Sequence, residues 1–195
     1  DIEPLVANKG ISGKITLQNN PLSKESQLIH IPVLQARGIT VLFDIIPDSK
    51  LSFSKTDQVN IDQVFTIDVL VDKLSNLAGW SFDLEFDPKI LSVESVEEGE
   101  ALKLQGQTTF FQEGKINKEE GTVTGLSSVY MGTGGVEASG NLLTLNLKAI
   151  KDGEGYLRLK EVALGNPKGK MIPVNVVDTA ITVSSVLPCD INADK

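Results

Sequence analysis

Asp83, Glu85 and Asp87 stand two residues apart, and paired carboxylates are the equipment of glycoside hydrolysis, one serving as acid and the other as base or nucleophile. On an extended strand such residues lie ~6.5–7 Å apart, near the inverting-enzyme separation. That chemistry also needs a cleft with apolar or aromatic lining and a carboxyl group kept protonated by burial. The chain has a single Trp and 5% aromatic residues, which offers little for stacking a sugar, so the three acids read as the wet side of a strand. His30 is the only histidine and lies between Ile29 and Ile31; with no cysteine near it, it makes neither a nucleophile pair nor a metal site. Gly132 to Gly135 is followed by neither a lysine nor a helix, as a phosphate cradle would require, and reads as a loop. Cys189 is the only cysteine, cannot close an internal disulfide, and reads as an incidental tail residue.

The element that must position the acids is the stretch Gly79 to Leu91, GWSFDLEFDPKIL. Trp80, Phe82, Leu84 and Phe86 alternate with Ser81, Asp83 and Glu85, the two-residue period of a strand with one buried face. Asp87-Pro88 ends it, because proline has no N–H for a ladder.

With 195 residues the chain has room for one ordinary domain and a smaller piece. No apolar run approaches the ~18 residues of a membrane span. Eighteen Lys and Arg against 26 Asp and Glu give a net charge of −8 without a basic cluster, which argues against nucleic acid and anionic membrane surfaces as partners.

Asp1 to Gly10 reads as a linker. Ile11 to Leu17, Leu28 to Gln35 and Ile39 to Ile46 read as β-rich runs, the last two joined by a possible hairpin at Arg37-Gly38, with Pro32 restricting the second run to an edge or a bend. From Lys50 strands recur at regular spacing: Val64 to Asp72, a loop over Lys73 to Ala78, the strand at Trp80, Leu91 to Val96, an exposed acidic turn at Glu97 to Glu100, and short strands on either side of Gly114. Gly121 to Met131, Asn141 to Ile150, Tyr156 to Leu159, Val162 to Leu164, Ile172 to Val177 and Thr179 to Val183 complete the series. No long window carries a helical period, so the expected class is all-β, a two-layer sandwich or barrel. The expected divisions are 1–49, a strand-rich extension; 50–185, the β domain; and 186–195, a tail.

The strand Gly79 to Leu91 resembles the third strand of a cohesin domain, small-aromatic-x-Phe-Asp-Leu-x-aromatic-Asp-Pro-x-x-Leu. FTIDVLVDKLSNLAG before it, SVESVEEGE after it, Phe110-Phe111, and GNLLTLNLKAIKDGEGYLRLKEVAL further on resemble the family's other segments in order. The resemblance covers Lys50 to Ser185. It implies a jelly-roll sandwich of about nine strands, without catalysis, that binds a dockerin through the sheet face containing this strand, at an extracellular or cell-surface location. On that face the candidate contact residues are Ser81, Asp83 and Glu85, with Leu126, Val129, Tyr130 and Met131 making it more apolar where they point outward. Ser81 stands where family members often carry an acid or amide, and Val129 or Tyr130 where they often carry an acid. Cys189 to Asp194 resembles the start of a dockerin calcium loop, with Asp190, Asn192 and Asp194 at its first, third and fifth positions. Calcium, which takes six to eight oxygen ligands, is thus the one cofactor suggested, at a run that ends before its bidentate carboxylate. Two other functions fit the residues: a surface-layer or filament subunit whose segment Ile11 to Ile46 adds a strand to a neighbour's sheet edge, and a carbohydrate-binding sandwich.

Overall fold

The computed structural model describes residues 2–185 apart from 19, 21, 45, 46, 48, 57, 104, 105 and 107. The candidate calcium ligands Asp190, Asn192 and Asp194, and Cys189, lie outside the described residues. The chain divides after Pro47 into two compact units.

The first unit holds helix α1 (Glu3–Ala7), strand β1 (Lys14–Thr16), a π-helical turn (Ser26–His30) that runs into α2 (Ile31–Ala36), and strand β2 (Thr40–Leu42). β1 and β2 pair in parallel, and Ile31 and Leu34 of α2 are buried with Ile39 and Val41 in a small core. The strand expected over Leu28–Gln35 is therefore helical. Ile29, Ile31 and Val33 imitate a two-residue period, but the Ser23 hydroxyl accepts a hydrogen bond from the Ser26 N–H (3.0 Å), as a helix N-cap does. The Ile31 N–H bonds five residues back to the Ser26 carbonyl, so Pro32 enters at the first turn of α2, where its missing N–H costs little. Arg37-Gly38 is the helix C-terminus and not a hairpin. Gly38 has φ +78°, and the Ile39 N–H returns to the Leu34 carbonyl (3.2 Å), the closure of a Schellman motif. The expected linker over Asp1–Gly10 contains α1.

The second unit is a jelly-roll β-sandwich. Its strands are β3 (Lys50–Phe53), β4 (Val59–Asn60), β5 (Val64–Leu77), β6 (Gly79–Phe86), β7 (Leu91–Glu98), β8 (Thr109–Asn117), β9 (Thr122–Tyr130), β10 (Val136–Ala149), β11 (Gly153–Gly165), β12 (Asn175–Val177) and β13 (Thr179–Ser184). They form one sheet ordered β12-β3-β5-β10-β7 and another ordered β4-β13-β11-β6-β9-β8. Ile67, Val69 and Val71 of β5, Leu143, Leu145 and Leu147 of β10, and Trp80, Phe82, Leu84 and Phe86 of β6 belong to the same buried core. The loop expected at Lys73–Ala78 is a continuation of β5, made possible by left-handed backbone at Lys73 and Asn76 (φ +54° and +60°) that shifts the register against β10. The two short strands expected around Gly114 are one strand, β8, with Gly114 at φ +68° inside it. Glu97 and Glu98, expected in an exposed turn, close β7.

Polar bonds tie the two sheets where β7 meets the β8–β9 hairpin. Glu98 of β7 accepts from Thr109 Oγ1 of β8 (2.8 Å) and from Ser128 Oγ of β9, and Lys103 Nζ lies 3.3 Å from its carboxylate. Beyond the far end of β8, Lys118 reaches Glu94 of β7 at 2.6 Å. That bond, with a second from the Ser92 hydroxyl, holds the Glu94 carboxyl below its ordinary range. A depressed carboxylate stabilises the fold above its unfolded value and ceases to do so as pH falls through its folded value. Lys118→Met is accordingly expected to lower stability at pH 7 by up to ~1 kcal/mol, the range of exposed ion pairs. In urea titrations across pH the difference should shrink towards zero below about pH 4; a difference that persists there would assign it to packing.

Candidate functional site

The outer face of the six-stranded sheet carries the residues singled out from the sequence. Strict alternation in β6 sends Trp80, Phe82, Leu84 and Phe86 inward, all at most 3% exposed, and leaves Ser81, Asp83 and Glu85 outward and half-buried. Trp80 stacks on Phe82 (centroids 4.6 Å apart, planes at 15°) and meets Phe111 at 6.2 Å. The single Trp is thus spent in the core and forms no sugar platform.

Cross-strand register sets the outward neighbours. Ser81 lies between Ser127 of β9 and Ala163 of β11, and Glu85 between Thr122 and Arg158. Ser127 donates from Oγ to Gln112 Oε1 on β8 (3.0 Å). Lys160 Nζ stands 3.4 Å from the Glu85 carboxylate, and Arg158 packs over the Tyr156 ring at 4.5 Å. Acids and cations are therefore mixed across this face.

Asp83 has a structural task. Opposite it, Thr124 and Gly125 of β9 face a single residue of β6, a β-bulge. Gly125 takes φ +77° and donates its N–H to Asp83 Oδ1 (2.8 Å). On the other side β11 slips register between Lys160 and Ala163, with Glu161 in the left-handed region at φ +48°. An acid holding a backbone N–H and one holding a lysine sit on an open sheet, and the arrangement does not assemble the acid and base of a hydrolase.

The bulge at Gly125 also decides which side chains of β9 face out. Val123 and Leu126, three apart, are both 0% exposed, so Leu126 is a core residue and leaves the set of candidate contacts. The extra residue reverses the parity that simple alternation would give. Ser128 consequently points inward, where Glu98 accepts its hydrogen bond, and Val129 points outward at 48% exposure. Tyr130 is half-buried, its ring lying so close over Gly132 that a β-carbon there would collide with it. Met131 is exposed.

One end of the face was not legible as a site. Val129 stands opposite Phe110 on one side and Gly79 on the other; Gly79 pairs with Gly165, and Gly165 bridges to Met171. The result is a shallow trough floored by Gly79, Gly165 and Ala163 and walled by Val129 and Met171. The hairpin from Asn166 to Met171 forms its rim, and the Asn166 carboxamide oxygen accepts from the Lys168 and Lys170 N–H groups (2.9 and 3.0 Å). The turn signal Asn166-Pro167-Lys168-Gly169 was present in the sequence, but what it would bring beside Gly79 was not. Among the described residues no group of His, Cys, Asp and Glu is arranged to hold a metal ion, and no helix is long and apolar enough to cross a membrane.

The family model for the cohesin domain matches residues 49–183. Among solved structures, a type II cohesin–X–dockerin complex from Acetivibrio cellulolyticus matches at 17% identity over 70% of this chain and 100% of that one, with a TM-score of 0.60. The second type II cohesin module of the ScaA adaptor scaffoldin from the same organism matches at 17% over 70% and 98%, TM-score 0.59. The cohesin module of a family 33 glycoside hydrolase from Clostridium perfringens matches at 12% over 70% and 97%, TM-score 0.57. No curated protein matches the chain.

Proposed function

Because this chain belongs to the cohesin family, we propose that its sandwich is a non-catalytic module that binds a dockerin-like protein in an extracellular or cell-surface assembly, through the outer face of the six-stranded sheet. The observation that carries this reading is the run of small outward residues at adjoining positions, Ser127, Ser81 and Ala163 in one row and Gly79 and Gly165 in the next. Small side chains on a sheet let another backbone come close, and burial of such a patch with an aromatic and Met-containing surround is the usual composition of an interface centre. Val129, Tyr130 and Met131 supply part of that surround, and Asp83 and Glu85 a polar border.

The rival reading, a filament subunit that donates a strand from Ile11–Ile46, loses its extended donor, since the middle of that segment is the Ser26–Ala36 helix. The carbohydrate-binding reading loses its platform with Trp80 in the core. Calorimetric titration of the intact protein against a panel of purified dockerin modules tests the proposal. At least one module is expected to bind. Ser127→Arg should weaken it ~100-fold, roughly 2.7 kcal/mol, while Thr66→Arg on the outer face of the other sheet should leave it unchanged. No binding anywhere in the panel, or equal sensitivity to both substitutions, would overturn the reading.

A further inference from the structure

We infer that the first unit carries a self-docking surface: the exposed apolar face of its helix, Leu28, Ile29, Pro32 and Val33, packs antiparallel against the same face of a second copy of the chain and forms a reversible dimer. The inference lies outside the reading of the sandwich as a dockerin-binding module and does not depend on it. Three observations carry it.

The first is a helix that is apolar on both sides. The run Ser26–Ala36 is helical, and no Asp, Glu, Lys or Arg lies within it. Ile31 and Leu34 turn into the unit's own core. Leu28, Ile29, Pro32 and Val33 are exposed, and their i, i+1, i+4, i+5 spacing puts them together on the other side. Leu28 stands at 74% exposure, Ile29 at 55% and Val33 at 42%, and among the described residues of this unit no other large apolar side chain is exposed. A helix with apolar residues all round is one that takes a layer on each side, and a contiguous apolar face marks an interaction surface. The β1–β2 side is one such layer; the second is missing from the unit itself.

The second is net charge, which bears on the occupant. Up to Pro47 the sequence holds four acids (Asp1, Glu3, Glu25, Asp44) and four bases (Lys9, Lys14, Lys24, Arg37), so the whole excess of −8 belongs to the remainder of the chain. Two copies of a unit without net charge meet with no like-charge repulsion between them. An anionic membrane surface, by contrast, would find no lysine or arginine within the apolar run to hold it.

The third is what stands at the two ends of the stripe. Glu25 precedes it, exposed and bonded to no cation among the described residues. Arg37 follows it, and its guanidinium donates to the Val6 and Asn8 carbonyls (3.0 and 2.9 Å) and to no carboxylate. An acid and a cation about 18 Å apart along one helix, at 1.5 Å per residue, are self-complementary across a twofold axis, where residue i of one copy meets j of the other and j meets i. With the axis between Ile29 and Pro32, Leu28 of one copy lies on Val33 of the other, and Glu25 of each copy comes beside Arg37 of the other. A helix face ~16 Å long buries less than the ~1,200 Å² of a stable interface, so the dimer is a weak one, with a Kd of about 10–100 µM.

Sedimentation equilibrium of the intact chain from ~2 to ~500 µM, with reductant to keep Cys189 as a thiol, tests the inference. A monomer–dimer equilibrium is expected. Leu28→Glu and Ile29→Glu replace side chains already in water, and thermal melts confirm that they fold. Each should weaken the dimer at least ~10-fold by placing a charge in the contact, and Glu25→Arg should weaken it ~3-fold. Phe110→Glu, on the sandwich, should leave it unchanged. Disulfide capture in a Cys189→Ser background reads the direction of the helices. Ile29→Cys should cross-link to its mate, ~4.5 Å away along the helix, whereas Ala36→Cys, ~16 Å from its mate, should not. A chain that stays monomeric throughout, a dimer indifferent to Leu28→Glu and Ile29→Glu, or ready cross-linking through Ala36→Cys overturns the inference. Dockerin titrations of Leu28→Glu should match those of the parent, so the failure of the dimer and the failure of the docking reading are told apart.

Discussion

Phe82→Ala is expected to lower the unfolding free energy by about 3–5 kcal/mol, the usual cost of emptying a buried phenylalanine site. The side chain is 1% exposed at the middle of β6, the strand flanked by β11 and β9. Its ring stacks against Trp80, adding an aromatic contact to the lost burial. The sandwich cannot collapse around the gap, because hydrogen bonds to both neighbours hold β6 in place and the ring's surroundings are fixed. Trp80, the only tryptophan, supplies the readout, since its fluorescence reports solvent entry to this core. In urea titrations the midpoint should fall with the slope unchanged. Ser81→Ala, one residue away on the wet side, should move stability by less than ~0.5 kcal/mol. A loss under ~1 kcal/mol for Phe82→Ala would show that this strand is not the centre of the core, and the outward placement of Ser81, Asp83 and Glu85 would fall with it.

Glu98→Ala is the second substitution with a large expected cost, about 2–4 kcal/mol. The carboxylate is 11% exposed and accepts from Thr109 and Ser128, and Ser128 is fully buried. Removing it strands the buried Ser128 hydroxyl, which then carries its desolvation penalty without a partner, and takes from the Lys103 ammonium one of its two carboxylates, leaving Glu100 at 3.4 Å. Glu98→Gln keeps the acceptor oxygen and should lose about half as much. Burial alone would lower the Lys103 pKa, yet Glu98, with Glu100 beside it, outweighs burial and raises it. A raised lysine contributes fully below its unfolded value near 10.5 and loses that contribution as pH climbs through its folded value. The Glu98→Ala deficit should therefore narrow only at strongly alkaline pH, as read from melting temperatures between pH 7 and 11. A variant as stable as the parent would mean that the inter-sheet bond is not what closes this edge.

The sandwich was readable because its strands bury one face and repeat every two residues; Trp80 to Phe86, Ile67 to Val71 and Leu143 to Leu147 all follow that rule. Leu28–Gln35 defeated it, because Ile29, Ile31 and Val33 are β-branched and alternate, while the decisive signals were a capping serine at Ser23 and a terminating glycine at Gly38. Leu126 defeated it for a different reason: one inserted residue at Gly125 inverts the parity of everything after it, and spacing cannot reveal an insertion whose cause is a carboxylate on the neighbouring strand. Glu98 in EEGE looks solvated, and only the third dimension brings Ser128 and Thr109 to it. The outer face of the six-stranded sheet was approached through Ser81, Asp83 and Glu85. Gly165 and Met171 escaped because a trough floor made of glycine has no side-chain signature.

Asp83 is flanked at one level by irregularities on both neighbours, Gly125 in β9 and Glu161 in β11. Since a bulge sharpens local twist, a pair of them at one level of three adjacent strands is expected to twist the sheet more strongly along that line than above or below it. A rigid flat body laid across that line would follow the sheet on one side of it only.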